Sequence, residues 1–284
     1  RGNKNQIIFV ANMKKAVFIL ITFVSFSTFA QIETDRPDFT ESPNTVPKGA
    51  LQVETGFVLE NDNSAMEQRN SKIQLSERNY TANTTLFRLG LTERFELRLN
   101  TNYGISKVGY MNDIGILDST HNPNLSDISG FKTSFVGFKT NVYQTQKISI
   151  GILGHLYIPE LSSGDFKMDN QKVASELLFP VSYQITERFG VAAQYGISWD
   201  GISSNPTTSY TLALGYAITD HLNCYVEPYG FLTNNGDELH LVNGGFTYLV
   251  NDNFQLDLTG GFGLNDEAPD NFISCGASFL LFNK

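Results

Sequence analysis

From Ala50 onward, apolar and polar residues alternate with a period of two, the repeat of an extended strand whose faces meet different surroundings. Phe95, Leu97, Leu99, Thr101 and Tyr103 alternate with Glu96, Arg98, Asn100 and Asn102. Leu51, Val53, Thr55, Phe57 and Leu59 oppose Gln52, Glu54, Gly56 and Glu60. Phe189, Val191, Ala193, Tyr195, Ile197 and Trp199 share one face, with Gly190, Ala192, Gln194, Gly196 and Ser198 on the other. No helical period of 3.6 stands beside this pattern. The alternation predicts twelve strands, over 50–60, 79–91, 95–104, 131–143, 148–158, 174–185, 189–199, 208–218, 222–232, 240–250, 254–264 and 272–282. Each is about ten residues, the length a tilted strand needs to cross hydrocarbon.

The predicted connections fall into two alternating classes. Tight turns lie at 92–94, 144–147, 186–188, 219–221 and 251–253, and longer loops at 61–78, 105–130, 159–173, 200–207, 233–239 and 265–271. An up-and-down barrel has this order, with short turns on the periplasmic side and longer loops outside. Phe95, Phe189 and Phe254 each open a strand after a tight turn, as an interfacial girdle requires, while Tyr103 and Trp199 close strands at the other end. The expected fold is all-β: a transmembrane antiparallel barrel of about 12 strands spanning 50–284. It must close on itself, because hydrocarbon offers no partner to the backbone groups of an open edge.

Composition separates this reading from a soluble barrel. A wet exterior needs abundant Lys and Glu, but charged residues make up 17% of the chain and the polar face is rich in Gly, Ser, Thr, Asn and Gln. Mean hydropathy is −0.17, too polar for a bundle of membrane helices. The apolar run Ala16–Phe26 follows Met13, Lys14 and Lys15, and ends in small residues at Ser27, Thr28 and Ala30. That is the plan of a signal peptide, with cleavage expected after Ala30. Residues 1–30 are therefore assigned to upstream sequence and signal, and the protein to the bacterial outer membrane. Removing them takes away one Arg, three Lys and no acid, moving the formal charge from −9 to −13. Such a chain is not expected to bind nucleic acid, which asks for a basic footprint. Cys224 and Cys275 lie far apart and read as unpaired thiols.

Residues 31–49 form a periplasmic lead-in. Pro37, Pro43 and Pro47 among turn-forming residues keep it extended. Its Asp35, Arg36 and Pro37 are expected to fold into or under the periplasmic mouth. No separate plug domain is expected, which argues against a receptor driven by an energy-coupling protein.

Several segments resemble the bacterial outer-membrane family named for the MetA-pathway of phenol degradation. The most distinctive is the lead-in T-D-R-P-D-F-T-E-S-P-N-T-V-P-K-G at 34–49, followed by Gln52-Val53-Glu54-Thr55-Gly56. L-T-E-R-F-E-L-R at 91–98, D-I-S-G-F-K-T-S-F-V-G-F-K at 127–139, H-L-Y-I-P at 155–159, V-E-P-Y-G at 226–230 and F-Q-L-D-L at 254–258 are similar to later parts of the family. Two features depart from it: Asn283 and Lys284 follow the terminal aromatic Phe282, and Pro159 is followed by Glu160 rather than glycine. The resemblance implies uptake of small organic, including aromatic, compounds across the outer membrane.

The register turns Glu54, Arg88, Glu96, Arg98, Lys139, His155, Glu176, Glu227, Tyr229 and Asp257 inward. These candidate lumen residues have two readings: a charge-selective lining of a permeation path, or buried ion pairs that stiffen a closed barrel. Glycines at 137, 151, 190, 196, 215, 245, 261 and 263 fall largely on the same face and leave room inside. Catalysis needs a nucleophile with a base in reach. His155, the one histidine within a strand, has Ser149 on its own face but about 20 Å away along extended chain. The chain is therefore read as no enzyme, with no cofactor and no metal. Its expected partners are outer-membrane lipid, the barrel-assembly machinery and a small-molecule solute, with the oligomeric state open. A structural or adhesive barrel acting through its external loops stands as the alternative to a channel, and an outer-membrane enzyme as a third reading.

Overall fold

The computed structural model describes residues 32–68, 71–111, 117–118, 127–167, 172–233 and 238–282. The upstream and signal segment assigned to 1–30 lies outside the described residues, as does most of 112–126. In chain order the strands are β1 (Leu51–Gln68), β2 (Ser71–Thr92), β3 (Phe95–Met111), β4 (Leu117–Asp118), β5 (Ile128–Phe131), β6 (Ser134–Gln144) and β7 (Ile148–Ile158). They continue as β8 (Ala174–Gln184), β9 (Phe189–Trp199), β10 (Thr207–Ala217), β11 (Leu222–Leu232), β12 (Leu239–Asn251), β13 (Phe254–Gly263) and β14 (Asn271–Leu281).

Each long strand pairs antiparallel with its neighbours, and β1 pairs with both β2 and β14, so the sheet closes. β3 bridges from β2 to β6, and the short β4 and β5 add to the outer part of β3. The result is a closed antiparallel barrel of 12 strands, as the alternation predicts. From β7 to β14 the bounds differ from the expected ones by about a residue at either end.

The departures lie on the long-loop side, where β3 also runs on to Met111, and β4 and β5 form, within the stretch 105–130 expected as a loop. Within the stretch 61–78, expected as a solvated loop, residues 61–68 and 71–78 are instead a continuation of β1 and β2, paired from Asn61↔Arg78 to Gln68↔Ser71. Its Asn, Ser, Glu and Gln residues give neither face an apolar stripe, so the period-two signal fades although the backbone ladder continues. The segment expected as one strand over 131–143 is split at Lys132 and Thr133: Phe131 ends β5, which pairs with Tyr103–Ser106, while β6 starts at Ser134.

Outside and inside are reversed relative to a soluble barrel. Leu212, Val226, Phe246, Leu256 and Leu258 are exposed, whereas Gln52, Glu54, Glu96, Lys139, Glu227 and Ser278 are buried. An apolar exterior over a polar lumen is what a hydrocarbon solvent demands. At the tight-turn end the odd and even strands contribute aromatic residues in different ways. Phe95 stacks on Phe138 at 6.0 Å and Phe254 on Phe279 at 4.7 Å, while Tyr143, Tyr183, Tyr216 and Tyr248 stand exposed near the ends of β6, β8, β10 and β12. Such rings sit well at a membrane–water interface. Leu212, exposed in the middle of β10, tests this face. Leu212→Arg is expected to lower folding stability in lipid vesicles by about 2–4 kcal/mol, read by equilibrium denaturation; no loss would mean that this face does not meet hydrocarbon.

Candidate functional site

The lead-in enters the barrel. Ile32 N–H donates to Asp252 O in a tight turn at 2.8 Å, and Gly49 N–H donates to Gly90 O at 2.7 Å, so both limbs start from the tight-turn end. Between them the chain climbs into the lumen, turns around Phe39 and Thr40, and descends. An extended segment has no internal ladder, so its backbone groups need partners from the wall. Glu54 accepts from the backbone N–H of Asp35 and Arg36, Glu227 from Phe39 and Thr40, Gln194 from Glu41 and Glu96 from Val46. Inward carboxylates thus serve as acceptors for a segment that belongs to no strand.

Asp35 is the hub of the charged side. Lys139 Nζ donates to its two oxygens at 2.6 and 2.8 Å, Arg88 Nη1 lies 3.1 Å from Oδ2, and Arg98 Nη2 lies 3.2 Å from the same oxygen. Arg88 also donates to Glu54 at 2.9 Å and to Glu96 at 2.8 Å. Arg98 Nη2 donates to the Glu41 carboxylate at 3.0 and 2.9 Å. Three cations therefore face four carboxylates: Asp35, Glu41, Glu54 and Glu96. Desolvating so many charges is costly, and it is offset only where each finds several close partners.

On the other side of the same limb, Arg36 donates to Asp257 Oδ1 at 3.1 Å, to Ser274 Oγ at 3.0 Å and to Thr84 Oγ1 at 3.0 Å. Its guanidinium lies against Gly56 and Gly276, which pair directly across β1 and β14; a Cβ on either would collide with it. Pro37 is half-buried, and the Arg36–Pro37 peptide is cis. Phe39 stacks on Tyr229 with ring centroids 4.3 Å apart. Thr40 Oγ1 donates to Glu227 Oε1 at 2.6 Å and meets Thr211 Oγ1 at 2.5 Å.

All ten wall residues named from the alternation lie on the inner face. Glu54, Arg88, Glu96, Arg98, Lys139, Glu227, Tyr229 and Asp257 contact the lead-in itself, while His155 and Glu176 pair with each other at 2.9 Å above it. The residues that sequence reasoning did not single out are their partners, chiefly Phe39, Thr40, Glu41 and Asn44 in the lead-in and Gln194, Thr211 and Asn141 in the wall. The signal for the wall residues was their inward parity; the lead-in carries no period to read.

Free volume remains around the lead-in. A cavity of about 300 Å³ lies beyond Phe39, bordered by Phe135, His155, Tyr157, Tyr229 and Phe231. A second, of about 190 Å³, lies lower beside Asp38, against Gly190, Ala192, Ala213 and Gly215. The two lie along the same wall: Gln194 and Thr211 border the upper one, and Ala192 and Ala213, two residues on along β9 and β10, border the lower. Between them stands the layer in which Thr40 and Glu41 meet Thr211, Glu227 and Gln194.

Two lead-in carboxyls titrate in opposite directions. Burial raises Asp35, but Arg88, Lys139 and Arg98 outweigh it and hold the carboxyl well below the usual range. Burial also raises Glu41; Arg98 opposes this, Asp35 adds to it, and the group is pushed up to about 8 from an ordinary 4.5. A carboxyl whose folded value is raised stabilises the seat while it stays protonated, and that advantage is lost as pH rises from about 4.5 through about 8. Asp35, being depressed, contributes above its ordinary value of 3.8 and loses that contribution only in stronger acid. Protease cutting of the lead-in is thus expected to be slower at about pH 6 than at about pH 9, after correction for enzyme activity. The opposite order would remove Glu41 from the account.

Among the described residues, no group of three His, Cys, Asp or Glu side chains is placed to hold a metal ion. Cys224 is half-buried, Cys275 is exposed, and both are unpaired.

The architecture resembles known membrane barrels. An outer-membrane channel from Pseudomonas putida F1 superposes with a TM-score of 0.60 at 15% identity, covering 88% of this chain and 100% of that one. The CymD monoaromatic hydrocarbon channel gives 0.46 at 10% identity over 82% and 88% of the two chains. The KdgM porin gives 0.47 at 10% over 80% and 98%. The first of these supports the shared fold. No curated protein matches the chain. The model of the family described as "Putative MetA-pathway of phenol degradation" matches residues 34–281, and the chain belongs to that family.

Proposed function

We propose that this protein is an outer-membrane channel for small organic solutes, gated by its own lead-in, with no catalytic step. The observation that supports it best is the pair of cavities stacked along one wall and parted by the Thr40–Glu41 layer. The lumen is divided by character. The β1–β3 and β6 side carries Glu54, Arg88, Glu96, Arg98 and Lys139, which clamp the lead-in, whereas Gly190, Ala192, Ala213 and Gly215 leave space on β9 and β10. A solute passing along β9 and β10 avoids stripping water from the Arg88, Arg98 and Lys139 ion network. The charged candidates act in this reading mainly as anchors for the gate, and Tyr229 and His155 border the chamber beyond it. Lipid surrounds the barrel, and the barrel-assembly machinery inserts it.

Liposome swelling with sugars, amino acids and small aromatic compounds, together with planar-bilayer recording, tests the proposal. Small discrete conductance steps are expected from the intact barrel, with a several-fold larger conductance after deletion of residues 32–45. Silence from both, with heat-modifiable folded protein confirmed, would favour a structural or adhesive barrel using the extended β1–β2 ribbon.

A further inference from the structure

The chamber of about 300 Å³ beyond Phe39 has aromatic walls and one carboxylate that no cation of its lining offsets. Glu176 on β8 sits in the inward row between His155 on β7 and Ser198 on β9. Leu178, Ser209 and Phe231 of the next inward row border the same chamber. Phe231 stands edge-on to Tyr229 at 6.2 Å, and Tyr157 edge-on to Phe135 at 5.3 Å. A cavity of this volume is at the low end of small-molecule sites, enough for a compound of one ring.

Glu176 has no counter-charge in the wall. Its Oε2 accepts from Tyr157 OH at 3.0 Å and faces His155 Nδ1 at 2.9 Å. A carboxylate only accepts, so Nδ1 carries the ring's proton. His155 Nε2 is buried with no hydrogen-bond partner among the described residues, so a second proton there would have no acceptor and the ring is neutral. Glu176 Oε1 has no hydrogen-bond partner among the described residues either, and the side chain is 22% exposed where it borders the chamber.

The rest of the path keeps the same sign. The other acid in the lining, Glu41, is already held by Arg98 at 2.9 Å and by Lys139 at 3.8 Å. Among the described residues, no Lys or Arg borders the chamber. Below the Thr40–Glu41 layer, Asp38 is the one charged side chain among the described residues bordering the lower cavity.

We propose that the chamber binds a small organic ammonium ion, its N–H donating to Glu176 Oε1 and its apolar body lying among Leu178, Tyr229 and Phe231. The assignment names the solute class of the channel reading and rests on it. Aromatic walls attract a cation electrostatically as well as offering apolar contact. A hydrogen bond between an ammonium and a carboxylate is stronger than one from a neutral hydroxyl. An organic anion would instead meet Glu176 with no cation of the lining to offset the repulsion.

Calorimetry near neutral pH on protein folded in a non-ionic detergent, with benzylamine, benzyl alcohol and benzoate, tests this. Benzylamine, protonated under these conditions, should bind about tenfold more tightly than benzyl alcohol, a gain of about 1.4 kcal/mol. Benzoate should bind more weakly than either. Glu176→Gln keeps an acceptor for Tyr157 and His155, and should bring benzylamine down to the level of benzyl alcohol in protein shown to be folded. Should that variant not fold, the ranking of the three compounds on the parent still decides. If benzyl alcohol or benzoate binds the parent as tightly as benzylamine, or if Glu176→Gln keeps the amine preference, the site is wrong. Failure of benzylamine to bind while neutral organic solutes still permeate sinks this site and leaves the channel standing. Binding with no permeation of any solute keeps the site and overturns the channel.

Discussion

Replacing Arg88 by Met should be the most damaging single change in the lumen. Arg88 is 1% exposed and holds Asp35, Glu54 and Glu96 together. Methionine fills much of the same volume but leaves three carboxylates short of a counter-charge in a buried setting. Losing one partner of a buried ionic network costs about 3–5 kcal/mol, because the remaining charges stay desolvated. Part of that loss falls on the lead-in, since Arg88 also donates to the backbone carbonyls of Glu33 and Asn44 on its two limbs, both at 3.1 Å. The variant is therefore expected to show a lower denaturation midpoint and rapid protease removal of residues 32–45, with the barrel itself still heat-modifiable. A change within about 0.5 kcal/mol, typical of a neutral surface substitution, would contradict the role given to Arg88.

The barrel was legible because its physics is local. A strand with lipid on one side and a polar lumen on the other must alternate, and Phe189–Trp199 shows that without help from distant residues. The same logic explains where the reading stopped. Residues 61–78 are mostly polar on both parities, with only Ala65, Met66, Ile73 and Leu75 apolar, so little in them marks the ladder that joins Asn61 to Arg78. Inward charges could be named from parity, but not their partners. Asp35 meets Lys139 across 104 residues of chain, and Arg36 meets Asp257 across 221. No spacing rule encodes such contacts; they exist because closure brings β1, β6 and β13 around one lumen. Once the barrel is closed, several lead-in residues have a sequence rationale. The directly paired Gly56 and Gly276 make a slot for a guanidinium, and Glu227 presents two oxygens to the consecutive N–H groups of Phe39 and Thr40.

The second large effect concerns the apex of the lead-in. Thr40 and Thr211 place their hydroxyls 2.5 Å apart, between the upper and lower cavities. Cysteines at these two positions are well placed for a disulfide, whose sulfurs bond at about 2.05 Å. With Cys224 and Cys275 changed to Ser, Thr40→Cys with Thr211→Cys creates a lead-in that can be fastened and released by redox state alone. Reduced protein should conduct as the parent does, because Glu227 still receives both backbone N–H groups. Oxidised protein should lose nearly all solute flux, because the layer between the cavities can no longer part.

Solute flux through this cross-linked barrel, recorded before and after reduction in the same bilayer, is the most direct test that the lead-in is a gate. The account predicts near silence when oxidised and full recovery on adding a thiol. Equal conductance in both states, with the cross-link verified by mass spectrometry, would show that solute passes without moving the lead-in and would contradict it.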